Sequence, residues 1–271
     1  MRVGIVDYLN SRPLAWAFRK GAETGAFVPF HLPPAAVAAK LADGTLDIGL
    51  IPSIEVQRIP GLRLLPGLCI AATHEVRSVL LVSKVPPRHI RRLALDENSR
   101  TSVALAKIVL QRAYGVSPEC VSRPPEIEAM MDEADAALVI GDPALQVSAA
   151  SYCILDLAAE WRRLTGLPFV FAVWAVRSNV EVDGLTSVFT RSLEQGMKNL
   201  DSLISEAAED IGLSSDELRE YLTVNLSFEL GHDELAGLRE FYALAAEMNL
   251  IPDARPIQFL DACPSQTDSV E

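Results

Sequence analysis

Aliphatic and β-branched runs punctuate the first 180 residues, each followed by a polar break and then by apolar positions at helical spacing. Val3–Val6 (VGIV), Leu46–Pro52 (LDIGLIP), Ile70–Ala72, Ser78–Ser83 (SVLLVS), Arg92–Asp96 (RLALD), Ala137–Asp142 (ALVIGD) and Phe169–Val176 (FVFAVWAV) read as buried strands. Between them, Pro13 is predicted to open a helix, since its missing N–H is harmless there. Pro33-Pro34 precede the Ala-rich AAVAAKLADG, closed by Gly44, and a helix from Thr101 to Tyr114 is ended by Gly115. Beyond residue 180 the pattern is helical. Ser214 and Glu217 fit a capping box, and Leu235, Leu238, Phe241, Tyr242, Ala245 and Met248 share one core-facing stripe.

The β-α-β order predicts parallel sheet with right-handed crossovers. Pro86-Pro87 separates two α/β units, and the run Phe169–Val176 is expected to return to the first. The chain thus divides into one lobe of residues 1–86 plus 169–271, carrying the C-terminal helices, and a second of residues 87–168. Two strands crossing between such lobes make a hinged cleft, the architecture of periplasmic binding proteins.

Composition narrows the function classes. A chain of 271 residues is long enough to bury roughly 70% of its unfolded surface. Hydrophobic residues at 49% with aromatics at 6% describe an aliphatic core, leaving only the residues after Asp261 (ACPSQTDSVE) as an expected frayed tail. Met1-Arg2-Val3 opens without a signal-peptide pattern, and no apolar run nears the ~18 residues of a membrane span, so a cytoplasmic location off the membrane is expected. Cys69, Cys120, Cys153 and Cys263 form no CxxC, and His31, His74, His89 and His232 form no HxH or HExxH. Reduced thiols and no metal site are expected. Residues 181–271 hold 19 acids and 5 bases, whereas residues 1–180 hold 17 acids and 19 bases. That acidity sits on solvated helices and argues against nucleic acid, while the first 180 residues remain suited to a small anion.

Four polar segments fall at strand ends, where open α/β folds bind ligands: Tyr8-Leu9-Asn10-Ser11, Pro52-Ser53, Ser99-Arg100-Thr101-Ser102 and Gly141-Asp142. Asn10 and Ser11 place an amide and a hydroxyl beside a helix N-terminus; ordinary capping is the competing account. Ser99 or Thr101 can cap the helix that continues VALAKIVLQRAY, aiming free N–H groups and hydroxyls at a carboxylate, and simple N-capping serves the segment equally well. Asp142 either orients a ligand hydroxyl or, the simpler role, caps a helix beginning at Pro143. Ser78 opens a strand near the expected cleft. Glu55, His74 and Glu75 are acid–base candidates whose simpler role is loop solvation. The sequence has no GxGxxG, P-loop or nucleophile elbow, so the site reads as polar and neutral, without a strong base.

Taken in order, YLNSRPL (8–14), LDIGLIPSIEV (46–56), RSVLLVSKVP (77–86), LALDENSRTSVALAKIVL (93–110), ALVIGDPAL (137–145), LAAEWRRLTGLPFVFAVWA (157–175) and NLSFELG (225–231) resemble the chorismate dehydratase family of the futalosine route to menaquinone. The resemblance covers nearly the whole chain. It implies a two-lobed, periplasmic-binding-protein-like (type II) α/β fold with a ligand cleft between the lobes. It also implies dehydration of chorismate to 3-[(1-carboxyvinyl)oxy]benzoate, with no cofactor and no partner beyond the small-molecule substrate. Carried onto this sequence, the family pattern makes Asn10 the catalytic polar group. Ser78, Thr101 and Ser102 become carboxylate ligands, and Ser11, Ser53, Ser99, Gly141 and Asp142 further substrate-binding positions. Tyr8, Arg100 and Asp142 have a structural role as the alternative, and Arg12 is assigned none. Two rival readings share the fold. One is 1,4-dihydroxy-6-naphthoate synthase, a sister enzyme usually marked by an SPCPNDT-like segment where this chain has DYLNSRPL. The other is a non-catalytic binding protein for a small anion.

Overall fold

The computed structural model describes residues 1–21, 26–148, 152–180 and 184–260; the tail expected after Asp261 lies outside them. The first lobe opens with β1 (Arg2–Ile5), a 3-10 turn at Leu9–Ser11, α1 (Trp16–Arg19), β2 (Val28–His31), α2 (Pro34–Ala42), β3 (Ile48–Pro52), α3 (Glu55–Arg58) and β4 (Leu62–Ala72). The second contains β5 (Val79–Ser83), β6 (Arg92–Asp96), α4 (Arg100–Tyr114), β7 (Glu119–Arg123), α5 (Ile127–Glu133), β8 (Ala136–Ile140), α6 (Asp142–Leu145), β9 (Cys153–Asp156) and α7 (Leu157–Thr165). The chain then returns as β10 (Phe169–Arg177), α8 (Leu185–Lys198), α9 (Leu200–Ile211), α10 (Ser215–Glu220), a π-turn at Tyr221–Asn225 and α11 (His232–Glu247).

Each lobe is built on a five-stranded mixed sheet, ordered β2-β1-β3-β10-β4 in the first and β7-β6-β8-β5-β9 in the second. The two share a plan. Three parallel strands come first, and the fourth place belongs to the strand arriving from the other lobe, antiparallel to both neighbours. β10 returns to the first sheet, as expected. The outward crossing differs from expectation: β5 belongs to the second sheet, so the chain changes lobes between Ala72 and Val79, ahead of Pro86-Pro87. VLLVS is buried all along, which suits an interior strand in either sheet, and only its pairing with β8 and β9 decides the matter. Val28–His31, largely exposed, and Glu119–Arg123 lack the apolar run that marked the other strands; both are sheet-edge strands.

Helix ends follow local chemistry. Gly115 closes α4 in the left-handed conformation, and Ser214 with Glu217 forms the expected capping box on α10. Pro13 departs from expectation. The 3-10 turn already begins at Leu9, so Asn10 lies inside the first helical turn, and Pro13 lies between that turn and α1. Phe18, Phe27, Trp174 and Phe189 pack edge-on beneath the first sheet, while Trp161, Phe169 and Phe241 pack where the lobes meet the last helix. Segment 226–230 bridges β4 at Ala71–Ser227, covering that sheet edge. Cys69, Cys120 and Cys153 are free thiols. Among the described residues no helix is long and apolar enough to cross a membrane, and no cluster of His, Cys, Asp or Glu has metal-site geometry.

Candidate functional site

The carboxyl ends of β1, β3, β6 and β8 converge on a cavity between the lobes, walled by apolar side chains and lined by a few polar groups, the make-up of a small-molecule site. Four segments, one from each strand end, and the crossing at Val76–Val79 carry its polar lining.

From the first lobe, Tyr8 and Asn10 reach the cavity from the 3-10 turn after β1. Ser11, in the same turn, faces away: its hydroxyl donates to the carbonyls of Val6 and Tyr8, fastening the turn to its own strand. Burial pushes the Tyr8 phenol up to about 12, with the negative charges of Asp96 and Asp142 adding to the shift, so it stays protonated at neutral pH. After β3, Pro52 lines the cavity but Ser53 does not; its hydroxyl donates 2.7 Å to the Val170 carbonyl behind the wall.

From the second lobe, Ser99, Arg100, Thr101 and Ser102 bring the start of α4 to the cavity. The Ser99 side chain makes no capping bond, so the first turn of this 15-residue helix presents its N–H groups and the positive end of its dipole inward. Thr101 is shared with closure: its hydroxyl accepts from Ile54 N–H at 3.1 Å and lies 3.4 Å from Ser53 Oγ across the cleft. The guanidinium of Arg100 is bonded to Glu55 Oε2 at 2.7 Å. Glu55 is only 2% exposed and also holds Arg58, so it is neither a free acid–base group nor a solvated loop residue. His74 and Glu75 are solvent-exposed, as loop solvation requires.

Register brings the last two positions together. Val79 lies opposite Ile140, so Ser78 neighbours Gly141, whose N–H donates 2.8 Å to the Ser78 carbonyl. Gly141 adopts φ +68°, ψ −149°, a conformation for glycine alone, and a Cβ there would meet the Tyr8 ring at 2.9 Å. Asp142 neither touches the cavity nor caps with its side chain. Its Oδ1 accepts from Leu9 N–H at 2.9 Å, tying α6 to the opposite lobe.

The residue missed in the sequence is Tyr221. Its hydroxyl, fully buried, donates 2.7 Å to Ser78 Oγ. Burial raises its pKa strongly, and its hydrogen bonds with Ser78 and Asn10 only partly offset this. The phenol therefore links the two side chains expected to meet substrate. It occupies the start of the π-turn, a distortion that often marks functional sites, but nothing in YLTVN announces one.

Asn10, Ser78, Ser99, Thr101, Ser102 and Gly141 thus meet at one cavity, and Ser11, Ser53 and Asp142 support it from behind. Val6, Leu50, Ile70, Val76 and Phe171 supply apolar wall. Among the described residues that line the cavity, Arg100 is the one permanently charged group, and it is already paired.

The chain matches a protein-family model described as menaquinone biosynthesis over residues 1–247. It is 30% identical over 258 residues to a chorismate dehydratase of Thermus thermophilus, covering 88% of this chain and 93% of that protein. A chorismate dehydratase of Campylobacter jejuni is 26% identical, over 92% of this chain and all of the relative. Among solved structures, a protein of Archaeoglobus fulgidus superposes with a TM-score of 0.76 at 19% identity, covering 92% and 98% of the two chains. The alkanesulfonate-binding protein SsuA from Xanthomonas axonopodis pv. citri, bound to MOPS, gives 0.65 at 18% identity, covering 94% of each. These structural likenesses carry the fold, which is that of periplasmic binding proteins.

Proposed function

The chain belongs to the menaquinone biosynthesis family, and from that premise we propose that it is a chorismate dehydratase, eliminating water from chorismate to give 3-[(1-carboxyvinyl)oxy]benzoate. One observation carries the reading: two amides, five hydroxyls and an uncapped helix start converge on a cavity between the lobes whose described lining holds no carboxylate or imidazole. Such a site suits a dianion, and it suits a reaction that needs positioning more than a strong base.

The elimination removes the C3 proton and the C4 hydroxyl. The C3–H electron pair becomes the third ring double bond, the C4–O bond breaks, and hydroxide leaves as water with the proton. Aromatisation drives the step. Charge building at C3 is vinylogous to the ring carboxylate, so donors on that carboxylate stabilise the transition state. In this reading the start of α4, with Thr101 and Ser102, supplies those donors. Tyr221 donates to Ser78, which leaves the Ser78 proton free for an acceptor in the cavity, the second carboxylate. Asn10 holds the enolpyruvyl carboxylate or the leaving hydroxyl. An amide has no usable protonation equilibrium, so the base is the substrate's own carboxylate, held against C3 by these donors. Closure excludes water, and entry requires the lobes to part, breaking the Thr101–Ile54 and Asp142–Leu9 bonds.

Purified protein mixed with chorismate should yield a product lighter by one water, followed by chromatography and mass. Asn10→Ala should lower turnover by about 10²–10³-fold with an unchanged melting temperature. Near-normal turnover would remove Asn10 from the chemistry. Tight binding of chorismate without turnover would leave the cavity a receptor.

A further inference from the structure

Asp156 ends β9 and caps α7, yet only half of the backbone donors on its carboxylate belong to that helix. Oδ1 accepts from Ala158 and Ala159 at 3.0 and 3.1 Å. The other donors come from the first crossing between the lobes: Val76 N–H lies 3.1 and 3.0 Å from the two oxygens, and Arg77 N–H lies 2.7 Å from Oδ2. Arg77 has φ +60°, one of two such non-glycine residues among those described. Ser78 N–H donates back to the Val76 carbonyl at 2.7 Å, which closes a three-residue γ-turn with Arg77 at its centre. A side chain with a Cβ disfavours that backbone, so the turn must be held from outside. Val76 is cavity wall, and Ser78 follows with its hydroxyl on Tyr221 and its carbonyl on Gly141.

We propose that Asp156 is a positioning residue of the site: by clamping the strained turn at Arg77 it aims the Ser78 hydroxyl into the cavity. This rests on the dehydratase reading of that cavity. The two oxygens divide the work. Asparagine caps helices as well as aspartate, so in Asp156→Asn the amide oxygen keeps the cap on Ala158 and Ala159. The amide NH₂ then faces the N–H groups of Val76 and Arg77, and donor meets donor.

The test is a double-mutant cycle with a structural readout. Asp156→Asn should lower kcat/KM by about 10-fold or more with a drop of only a few degrees in melting temperature, while in a Ser78→Ala background it should change kcat/KM by less than about 2-fold, because it acts through that hydroxyl. Arg77→Gly, which adopts positive φ freely, should restore most of the loss in the Asp156→Asn protein. Losses that multiply in the Ser78→Ala background would overturn the proposal. So would a crystal structure of Asp156→Asn that keeps Arg77 at positive φ with Ser78 still on Tyr221. That structure separates this proposal from the function: if the wild type leaves chorismate unchanged, the dehydratase reading falls, and the position of Ser78 in the variant still decides the role of Asp156.

Discussion

Two strand-to-helix junctions of the second lobe begin from the same Leu-Asp pair and end differently. β6 runs out in LALD and β9 in CILD, each closing on an aspartate. After Asp156 the helix starts at once, so the carboxylate becomes the N-cap and the terminus of α7 is sealed. After Asp96, ENS intervenes. The carboxylate turns back onto Asn98 N–H at 2.9 Å, its other oxygen is buried without a protein partner, and Ser99 stands at the N-cap position without capping. The start of α4 is left open, and it is the one facing the cavity. A helix terminus is thus structural or ligand-directed according to whether the chain spends its own acceptor on it, and a three-residue insertion is enough to change the answer.

The comparison is tested most severely by removing both acceptors. Asp156→Ala strips four backbone N–H groups of their partner and should destabilise the protein by about 3 kcal/mol, read by urea unfolding. Ser99→Ala should cost less than about 0.5 kcal/mol, because no cap is lost. Equal costs would mean that the α4 terminus is sealed in solution and that the cavity lacks its anion-directed end.

Next in size is Gly141→Ala. The φ of +68° and the 2.9 Å approach to the Tyr8 ring act together, and a loss of about 2–3 kcal/mol is expected with displacement of Tyr8 and a larger loss of activity. An unperturbed variant would show that the Tyr8 ring is free to move and does not shape the cavity.

Thr101→Val probes the open terminus itself. It removes the acceptor for Ile54 N–H and one donor for the substrate, so kcat should fall and KM rise, together lowering kcat/KM by about 10-fold, with only about 1 kcal/mol lost in stability. A rise in KM alone would take Thr101 out of transition-state stabilisation and leave it to closure and binding.

The same contrast explains what was legible in the sequence. Strands with continuous apolar runs were readable because burial on both faces leaves no polar alternation to confuse them, as at Ile48–Pro52 and Ala136–Ile140. Val28–His31 was not, because an edge strand with exposed positions carries no such run. The segments Tyr8–Ser11, Ser99–Ser102 and Gly141-Asp142 were found from their place after strands. Which hydroxyl in each faces inward was not: Ser11 turns to the nearby carbonyls of Val6 and Tyr8, while Ser53 and Ser78 are set by partners far along the chain, Val170 and Tyr221. Tyr221 had no local signal, because its role depends on a contact 143 residues away. The crossing at 72–79 was misplaced for a related reason: Pro86-Pro87 is a visible break, whereas the strained turn at Arg77 is held by Asp156, far along the chain.

Asp142 offers the smallest and most discriminating test, because its junction lies between the two cases. It is the first residue of α6, one place beyond the N-cap that Asp156 holds in α7, and its oxygen crosses the cleft to Leu9 N–H instead of capping its own helix. Burial raises its pKa above the ordinary carboxylate value, with repulsion from Asp210 adding to the shift; the Leu9 hydrogen bond and the Arg12 charge offset it only in part. A folded-state pKa above the unfolded one means that the folded protein binds the proton more tightly, so ionisation of Asp142 costs stability. That cost is absent below the ordinary carboxylate pKa, grows as pH rises from there through the raised folded value, and is constant above it. Asp142→Asn keeps an oxygen for Leu9 N–H without the charge. The variant should therefore melt slightly higher than the wild type at pH 7, and the gain should vanish at about pH 3, where Asp142 is protonated. A variant that melts lower at pH 7 would show that the charged bond across the cleft outweighs desolvation, and that this third junction depends on its carboxylate being ionised.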